Sequence, residues 1–279
     1  MDRTQAEEAN RRRKARAELT VIVLIVGSIA GYFICISIGS VSLPLSDVFQ
    51  SLFGSNVGWG TDTIVRDTRA PRILGAALAG ASLALGGMAM QALFRNPMAS
   101  PSVLGVSSGA SFGAAFYIAI GSTIVVSGFG TMLSAFVMAM ATLLLAYMLA
   151  YRKNGGVQTT LLLLAGMAVS AMFSGLTSMI EFFSDADTVT SIVFWMLGSF
   201  DGCGWNDDLV MLVCLIIGGS LILVNTREMN IITAGESKAK ALGVNVRRVR
   251  LMLLFGSAML VAGTVSVCGV IGFVGLIIP

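Results

Sequence analysis

Uncharged apolar stretches of about 20 residues, the length a helix needs to cross the hydrocarbon core of a bilayer, recur along this chain and decide its class. They run Leu19–Ile38, Ile73–Leu93, Val103–Ser122, Gly130–Ala150, Gln158–Ile180 and Leu209–Val224, with everything from Leu251 to Pro279 forming a last one. That last stretch is too long for one span and too short for two, and Gly269 and Gly272 interrupt it. It reads as span seven plus the start of span eight. Charged residues make up 12% of the 279 positions, about half the roughly 25% of a soluble domain. Too few remain to coat a water-facing surface, which excludes a soluble domain, a disordered tail, a nucleic-acid module and a disulfide scaffold. The expected fold class is all-α, a polytopic helical membrane bundle.

Charge placement sets an orientation. Residues 1–18 carry Arg3, Arg11, Arg12, Arg13, Lys14 and Arg16, and a basic flank of this kind stays in the cytoplasm. A cleaved signal peptide is the competing reading, but the stretch after Ile38 offers no convincing small-x-small cleavage site, which favours a retained anchor. Arg95, then Arg152 and Lys153, then Arg227 to Arg250 fall inside. Asp185, Asp187, Asp201, Asp207 and Asp208 fall outside. Val189–Phe200 is apolar but too short to cross, and reads as a partial helix folded back at the outer face with Trp195 at the interface.

The chain holds no histidine, which removes the commonest general base and metal ligand. Its four cysteines, Cys35, Cys203, Cys214 and Cys268, stand far apart without a C-x-x-C pair or zinc spacing, and read as small apolar membrane residues. An intramembrane hydrolase needs a Ser/His pair, an H-E-x-x-H helix or paired aspartates; none is present, and neither is a G-x-x-x-x-G-K-S/T phosphate loop. The chain is expected to be no enzyme and to hold no metal or cofactor of its own. Ion-coupled carriers keep an ionisable residue inside the membrane, whereas no charged residue lies within an expected span and Glu181 sits at an outer end. A transporter built this way takes its energy from elsewhere.

Lipid gives helices no hydrophobic drive to associate, so close packing falls to small residues. Gly105, Gly109 and Gly113 make two consecutive G-x-x-x-G steps on one face, and Ala76, Gly80 and Ala84 a similar stripe on span two, with Gly87 one turn further. These argue for a compact bundle and not for a ligand.

Three polar constellations remain. Arg66-Asp67-Thr68-Arg69-Ala70-Pro71-Arg72, at the outer edge of span two, runs against the positive-inside bias. It is either a lipid-headgroup anchor or a patch that receives carboxylates of an external partner, with which arginine forms bidentate pairs. Arg95-Asn96-Pro97-Met98-Ala99-Ser100-Pro101, at the inner end, is a tight elbow stiffened by two prolines. The inner segment Thr233–Asn245 has Glu236 near its start and lysines later, which suits a short helix dipole, and Gly243 is a fitting stop. Ala239, Leu242 and Val244 form an apolar ridge between charges. A loop that only linked two spans has no need of such a helix, so the segment reads as a docking knob.

Arg69-x-Pro71-Arg72, Gly80-Ala81-x-Leu83-Ala84, Met90-Gln91-Ala92-Leu93-Phe94-x-Asn96-Pro97 and Leu104-Gly105-x-Ser107-x-Gly109-Ala110 follow one another along the first half. Downstream come Trp195-Met196-Leu197-Gly198, Gly235-Glu236-x-x-Ala239-x-x-Leu242-Gly243 and Gly269-x-Ile271-Gly272-Phe273-Val274-Gly275-Leu276-x-x-Pro279. In order and spacing these resemble the FecCD-like permease subunits of type II ABC importers for iron–siderophore complexes, haem and vitamin B12. The match covers nearly everything after residue 60.

The resemblance implies a ten-helix permease that pairs with a second permease copy, as a homodimer or heterodimer, around a central path. It implies two cytoplasmic ATPase subunits, where ATP and magnesium bind, and an extracytoplasmic solute-binding protein. The place is a bacterial cytoplasmic (inner) membrane, with lipid around the spans, the N-terminus inside and no nucleic acid as partner. Residues 1–18 are the basic cytoplasmic N-terminus and 19–279 the permease domain. Within it, 39–72 falls on the outer docking loop, where Arg69, helped by Arg72 and Arg66, meets acidic residues of the binding protein. Segment 226–250 falls on the ATPase-coupling element, with Gly235, Glu236, Ala239, Leu242, Gly243 and Val244. Asn96, Met98, Thr159 and Thr160 match positions that narrow the cytoplasmic end of the path, and Met167 and Met172 of span five line it. Family members continue beyond the position of Pro279 with a histidine, the rest of span eight and two more spans. About seven and a half of the ten spans are therefore expected here, as in a fragment or truncated product. The implied cargo is an iron chelate, a siderophore first, with haem or cobalamin as alternatives. An ion-coupled secondary carrier and a non-transporting membrane scaffold are the rival classes.

Overall fold

Long apolar runs become long helices because, in lipid, a backbone segment must satisfy its N–H and C=O groups internally. The computed structural model describes residues 3–54, 57–120, 129–152 and 156–279. The chain divides into two compact units, residues 1–74 and 75–279.

The first unit opens with α1 (Arg3–Ser37). Its large apolar side chains from Leu19 to Ile29 are more than half exposed, as suits a helix facing lipid. The expected docking loop, 39–72, is largely helical. It forms α2 (Leu45–Leu52), α3 (Trp59–Asp62), a wide-turned π-helical stretch over Thr63–Arg69, and the start of α4 (Ala70–Phe94). Ile36, Leu43, Val48, Val65 and Ala70 make its small core, and Phe33 stacks on Phe49 with ring centroids 4.3 Å apart.

The second unit holds the rest of α4 and then α5 (Val106–Ala119), α6 (Gly130–Ala150), α7 (Thr159–Phe183), α8 (Ala186–Leu197) and α9 (Trp205–Val224). After these come α10 (Thr226–Thr233), α11 (Glu236–Ala241), α12 (Val246–Cys268) and α13 (Val274–Ile277). Among the described residues, six helices are long and apolar enough to cross a membrane. Six of the seven expected spans overlap α1, α4, α6, α7, α9 and α12, and the expected start of span eight is a break at Gly269 followed by α13.

Span three departs from expectation. Instead of Val103–Ser122, the helix is 14 residues long, about 21 Å at 1.5 Å per residue and short of the ~30 Å hydrocarbon core. A 3-10 turn over Pro101–Leu104 and the left-handed Gly105, at φ 83°, remove its first turn; Ser122 lies outside the described residues. A second departure is minor: Tyr151–Arg152 and Gly156–Val157 pair as two antiparallel two-residue strands, and Lys153, read as inside, is outside the described residues. The partial helix expected over Val189–Phe200 is α8, begun at Ala186 because the Asp185 carboxylate caps it, accepting from Thr188 N at 3.1 Å. Hydrogen bonds from the Thr188 side chain and backbone hold the Asp185 carboxyl below its ordinary range.

α12 is the packing axis of this unit. Of its most apolar window 72% is buried, against 33% for α9 and 22% for α7. It crosses α9 where two glycines face each other: a Cβ on Gly218 would stand 2.8 Å from Gly256 O, and one on Gly256 2.9 Å from Gly218 O. Gly109 and Gly113 stand where α5 crosses α6; a Cβ on Gly113 would lie 2.5 Å from Ser134 O, and one on Gly109 would collide with the Thr142 hydroxyl. Gly80 corrects the expectation, since a Cβ there would meet nothing within 4 Å. The buried face of α4 runs through Gly75, Ala79, Leu83, Gly86, Gly87 and Met90, turned away from the Ala76–Gly80–Ala84 stripe.

Candidate functional site

In residues 1–74 the polar focus is the arginine series. Arg69 Nη1 donates to Ile36 O at 2.7 Å and Nη2 to Val41 O at 2.6 Å, so its guanidinium closes the turn after α1. Gly39 leaves the room for this, because a Cβ there would stand 2.5 Å from Nη2. Arg66 Nε donates to Ser51 O at 2.6 Å. Carbonyls are neutral, so these bonds fix the guanidinium groups without cancelling their charge. Arg72 is exposed, whereas Arg66 and Arg69 are half-buried. Arg69 and Arg72 share an open cavity of ≈ 450 Å³ with Cys35, Ser40 and Thr68.

The segment read as a docking knob is built from two short helices and two special backbone positions. Gly235, with φ 129°, separates α10 from α11. At the other end Gly243 N donates to Lys240 O and Val244 N to Ala239 O, both at 3.0 Å, around Gly243 at φ 79°. This is a Schellman closure, which needs a left-handed residue. Asn245 then caps α12, its side chain accepting from Arg248 N at 3.1 Å. The expected apolar ridge divides. Ala239 is fully buried and Val244 packs on the main core, while Leu242 is 70% exposed. Ala239 is thereby corrected from a contact residue to one that seats the helix. Arg227, Lys238, Lys240, Arg247 and Arg248 are all exposed, Arg227 and Arg248 bordering the same cleft as Leu242, and Glu236 pairs with Arg250. A cleft of ≈ 500 Å³ beside the knob is lined by Asn225, Arg227, Glu228, Leu242 and Arg248, among others.

Asn96 and Met98 occupy the elbow after α4. Arg95 takes a left-handed conformation, φ 49°, and the exposed Asn96 accepts Met98 N on its Oδ1 at 2.9 Å. Met98 is 67% exposed. Thr159 and Thr160 are the first two residues of α7, and Met167 and Met172 stand exposed further along it. Two cavities border α7. One of ≈ 550 Å³ is lined by Phe112, Phe116, Leu176, Met179 and Phe183 with Asp185 at its rim. The other, ≈ 300 Å³, gathers Ser107, Ser111, Ser174, Thr177, Ser178 and Glu181. The sequence reading missed this hydroxyl chamber. Its signal was the four-residue spacing of Ser107/Ser111 and Ser174/Ser178, which puts each pair on one helical face.

Asp208 corrects a central expectation. α9 begins at Trp205 and not at Leu209, so Asp207 and Asp208 belong to a membrane-capable helix. Asp207 accepts Gly204 N at 3.0 Å, an ordinary cap. Asp208 is 3% exposed, and among the described residues neither carboxylate oxygen has a hydrogen-bond partner. The span region therefore does hold a titratable group.

The FecCD transport family profile matches residues 23–279. The cobalamin import system permease protein BtuC of Halobacterium salinarum is 37% identical over 272 residues, spanning 96% of this chain and 72% of that protein. The molybdate import system permease protein MolB of Haemophilus influenzae is 34% identical over 266 residues, 94% of this chain and 76% of that protein. A solved metal-chelate type ABC transporter in an inward-facing conformation superposes with a TM-score of 0.81 at 32% identity, covering 93% of this chain and 79% of that one.

Proposed function

The chain belongs to the FecCD transport family and is a multi-pass membrane permease, and we propose that it carries an iron chelate inward through a bacterial cytoplasmic membrane on energy supplied by two ATPase subunits. The observation that carries this reading is the exposed Leu242 just after a short helix with a Schellman closure, with the exposed cations Arg227 and Arg248 beside it. An exposed apolar residue beside cations suits a groove with an apolar floor and acidic walls on a cytoplasmic partner. ATP and magnesium belong to that partner.

A second permease copy completes the path, with Met167 and Met172 on its wall and Asn96, Met98, Thr159 and Thr160 at its inner end. Methionine walls hold bulky ligands weakly because their thioether chains adapt, and weak holding permits release. An extracytoplasmic binding protein delivers cargo to the arginine patch of Arg66, Arg69 and Arg72. Iron chelates fit this reading because relatives of the chain include permeases named for Fe(3+)-citrate, iron(3+)-hydroxamate and ferric enterobactin import. The test is uptake of a radiolabelled ferric siderophore by vesicles holding the permease, its ATPase and its binding protein, with unlabelled haem, cobalamin and molybdate as competitors. Competition by ferric siderophores alone supports the cargo; competition by cobalamin or molybdate alone reassigns it.

A further inference from the structure

The ends of α8, α9 and α12 meet in a cluster that none of these roles uses. The Trp195–Gly198 turn packs on the Gly269 break. Both glycines have positive φ, 71° and 73°, and a Cβ on Gly269 would stand 2.8 Å from Gly198 Cα. Ser199 N donates to Cys268 O at 2.8 Å across the same seam. Beside it, Cys203 Sγ and Cys268 Sγ are 3.7 Å apart, with the residues 6% and 2% exposed. Cys203 lies in the turn before α9, and Cys268 is the last residue of the most buried helix.

We propose that Cys203 and Cys268 are a disulfide site, and that the linked form fastens the α8–α9 turn to the end of α12. The thiol sulfurs are already in contact at 3.7 Å, against the ~2.05 Å of a sulfur–sulfur bond. The reaction is exchange with an external disulfide, R–S–S–R, held by a thiol–disulfide oxidoreductase. The two thiols give up two protons and two electrons, one Cys203–Cys268 bond forms, the R–S–S–R bond breaks, and two R–SH leave. The inference rests on the expected orientation, in which the short α5 also crosses and Asp185 to Asp208 lie outside the membrane, where disulfides form and persist. The loop it closes is long, with partners 65 positions apart, and long loops are where a cross-link most restricts the unfolded chain. Met211 Sδ lies 3.8 Å from Cys268 Sγ, so a soft metal ion is the competing ligand.

The full chain is purified in detergent from a host with an oxidising envelope, denatured, and labelled with a mass-adding maleimide. The chain has four cysteines. The proposal expects two additions without reductant and four after a phosphine reductant, with a Cys203–Cys268 cross-linked peptide in the mass spectrum. Cys203→Ser gives three additions in both conditions, and reductant lowers the melting temperature of the unmutated chain by several degrees but leaves Cys203→Ser unmoved. Four additions without reductant, or recovery of four on adding a copper(I) chelator alone, overturn the disulfide. A topology reporter fused after Asp201 separates the two ideas. With the reporter outside, four free thiols reject the disulfide and keep the orientation; with it inside, the orientation fails too.

Discussion

Glu236, the first residue of α11, pairs its carboxylate with the Arg250 guanidinium of α12. One ion pair thus joins the short helix read as the docking knob to the helix on which the 75–279 unit packs. Arg250 is 12% exposed and Glu236 38% on their side chains, so the pair is sheltered on one side only. On the docking reading, a push on α11 would reach α12 through this bond, through the buried Ala239 methyl and through the Schellman closure at Gly243.

Removing the pair therefore separates stability from coupling. Glu236→Gln loses about 1 kcal/mol of stability or less, the scale of a half-exposed ion pair. ATP turnover stimulated by the loaded binding protein falls several-fold in the reconstituted complex, while basal turnover stays. The double reversal Glu236→Arg with Arg250→Glu restores part of the stimulation. Unchanged stimulation in Glu236→Gln removes the pair from the coupling route.

Leu242 is exposed, so replacing it leaves the permease fold intact and strikes only what it touches. Leu242→Asp is expected to lose co-purification with the ATPase, because a carboxylate cannot enter an apolar pocket unpaired without a cost of several kcal/mol. Full-yield permease that still retains the ATPase contradicts the docking role.

The arginine patch divides by function. Arg69 holds three segments together through Ile36 O and Val41 O, so Arg69→Ala lowers stability by about 1–2 kcal/mol, the scale of a part-buried and an exposed hydrogen bond from a charged donor. Arg72 is exposed, and Arg72→Glu is expected to weaken binding-protein affinity roughly ten-fold at low salt, an effect that fades as salt screens the charges. Equal affinity for the unmutated chain and Arg72→Glu at low salt rejects the patch as a docking surface.

Packing glycines differ as sharply. Gly113→Leu forces α5 away from α6 at Ser134 O and is expected to abolish a monodisperse product, since overpacking costs roughly 1–3 kcal/mol or more. Gly80→Leu points into open space and is expected to keep wild-type yield. Size-exclusion profiles of the two variants decide it.

Apolar length is directly legible, which is why α6 and α7 stand where the hydropathy runs place them and α9 and α12 overlap theirs with earlier starts. The facing of a membrane helix is not, because lipid and protein interior are equally apolar. Hence Gly80 reads as a packing residue while Gly75 and Gly86, with the expected Gly87, do that work. The knob is legible through Glu236, the lysines and Gly243, which encode helix polarity and a stop; that Ala239 turns inward depends on α12, which no local pattern reveals. The Arg69 clamp is equally hidden, since its partners are backbone carbonyls distant in sequence. Asp208 escapes because hydropathy rises at Leu209 whereas the helix itself begins at Trp205.

The source of energy is the central claim, and Asp208 makes it worth measuring directly. Vesicles holding the permease, its ATPase and the loaded binding protein are given ATP on the ATPase side, and proton and sodium gradients are collapsed with ionophores. The account predicts unchanged uptake with ATP, none without it, and the same behaviour in Asp208→Asn. Uptake that proceeds on an imposed gradient without ATP, and that Asp208→Asn abolishes, contradicts it.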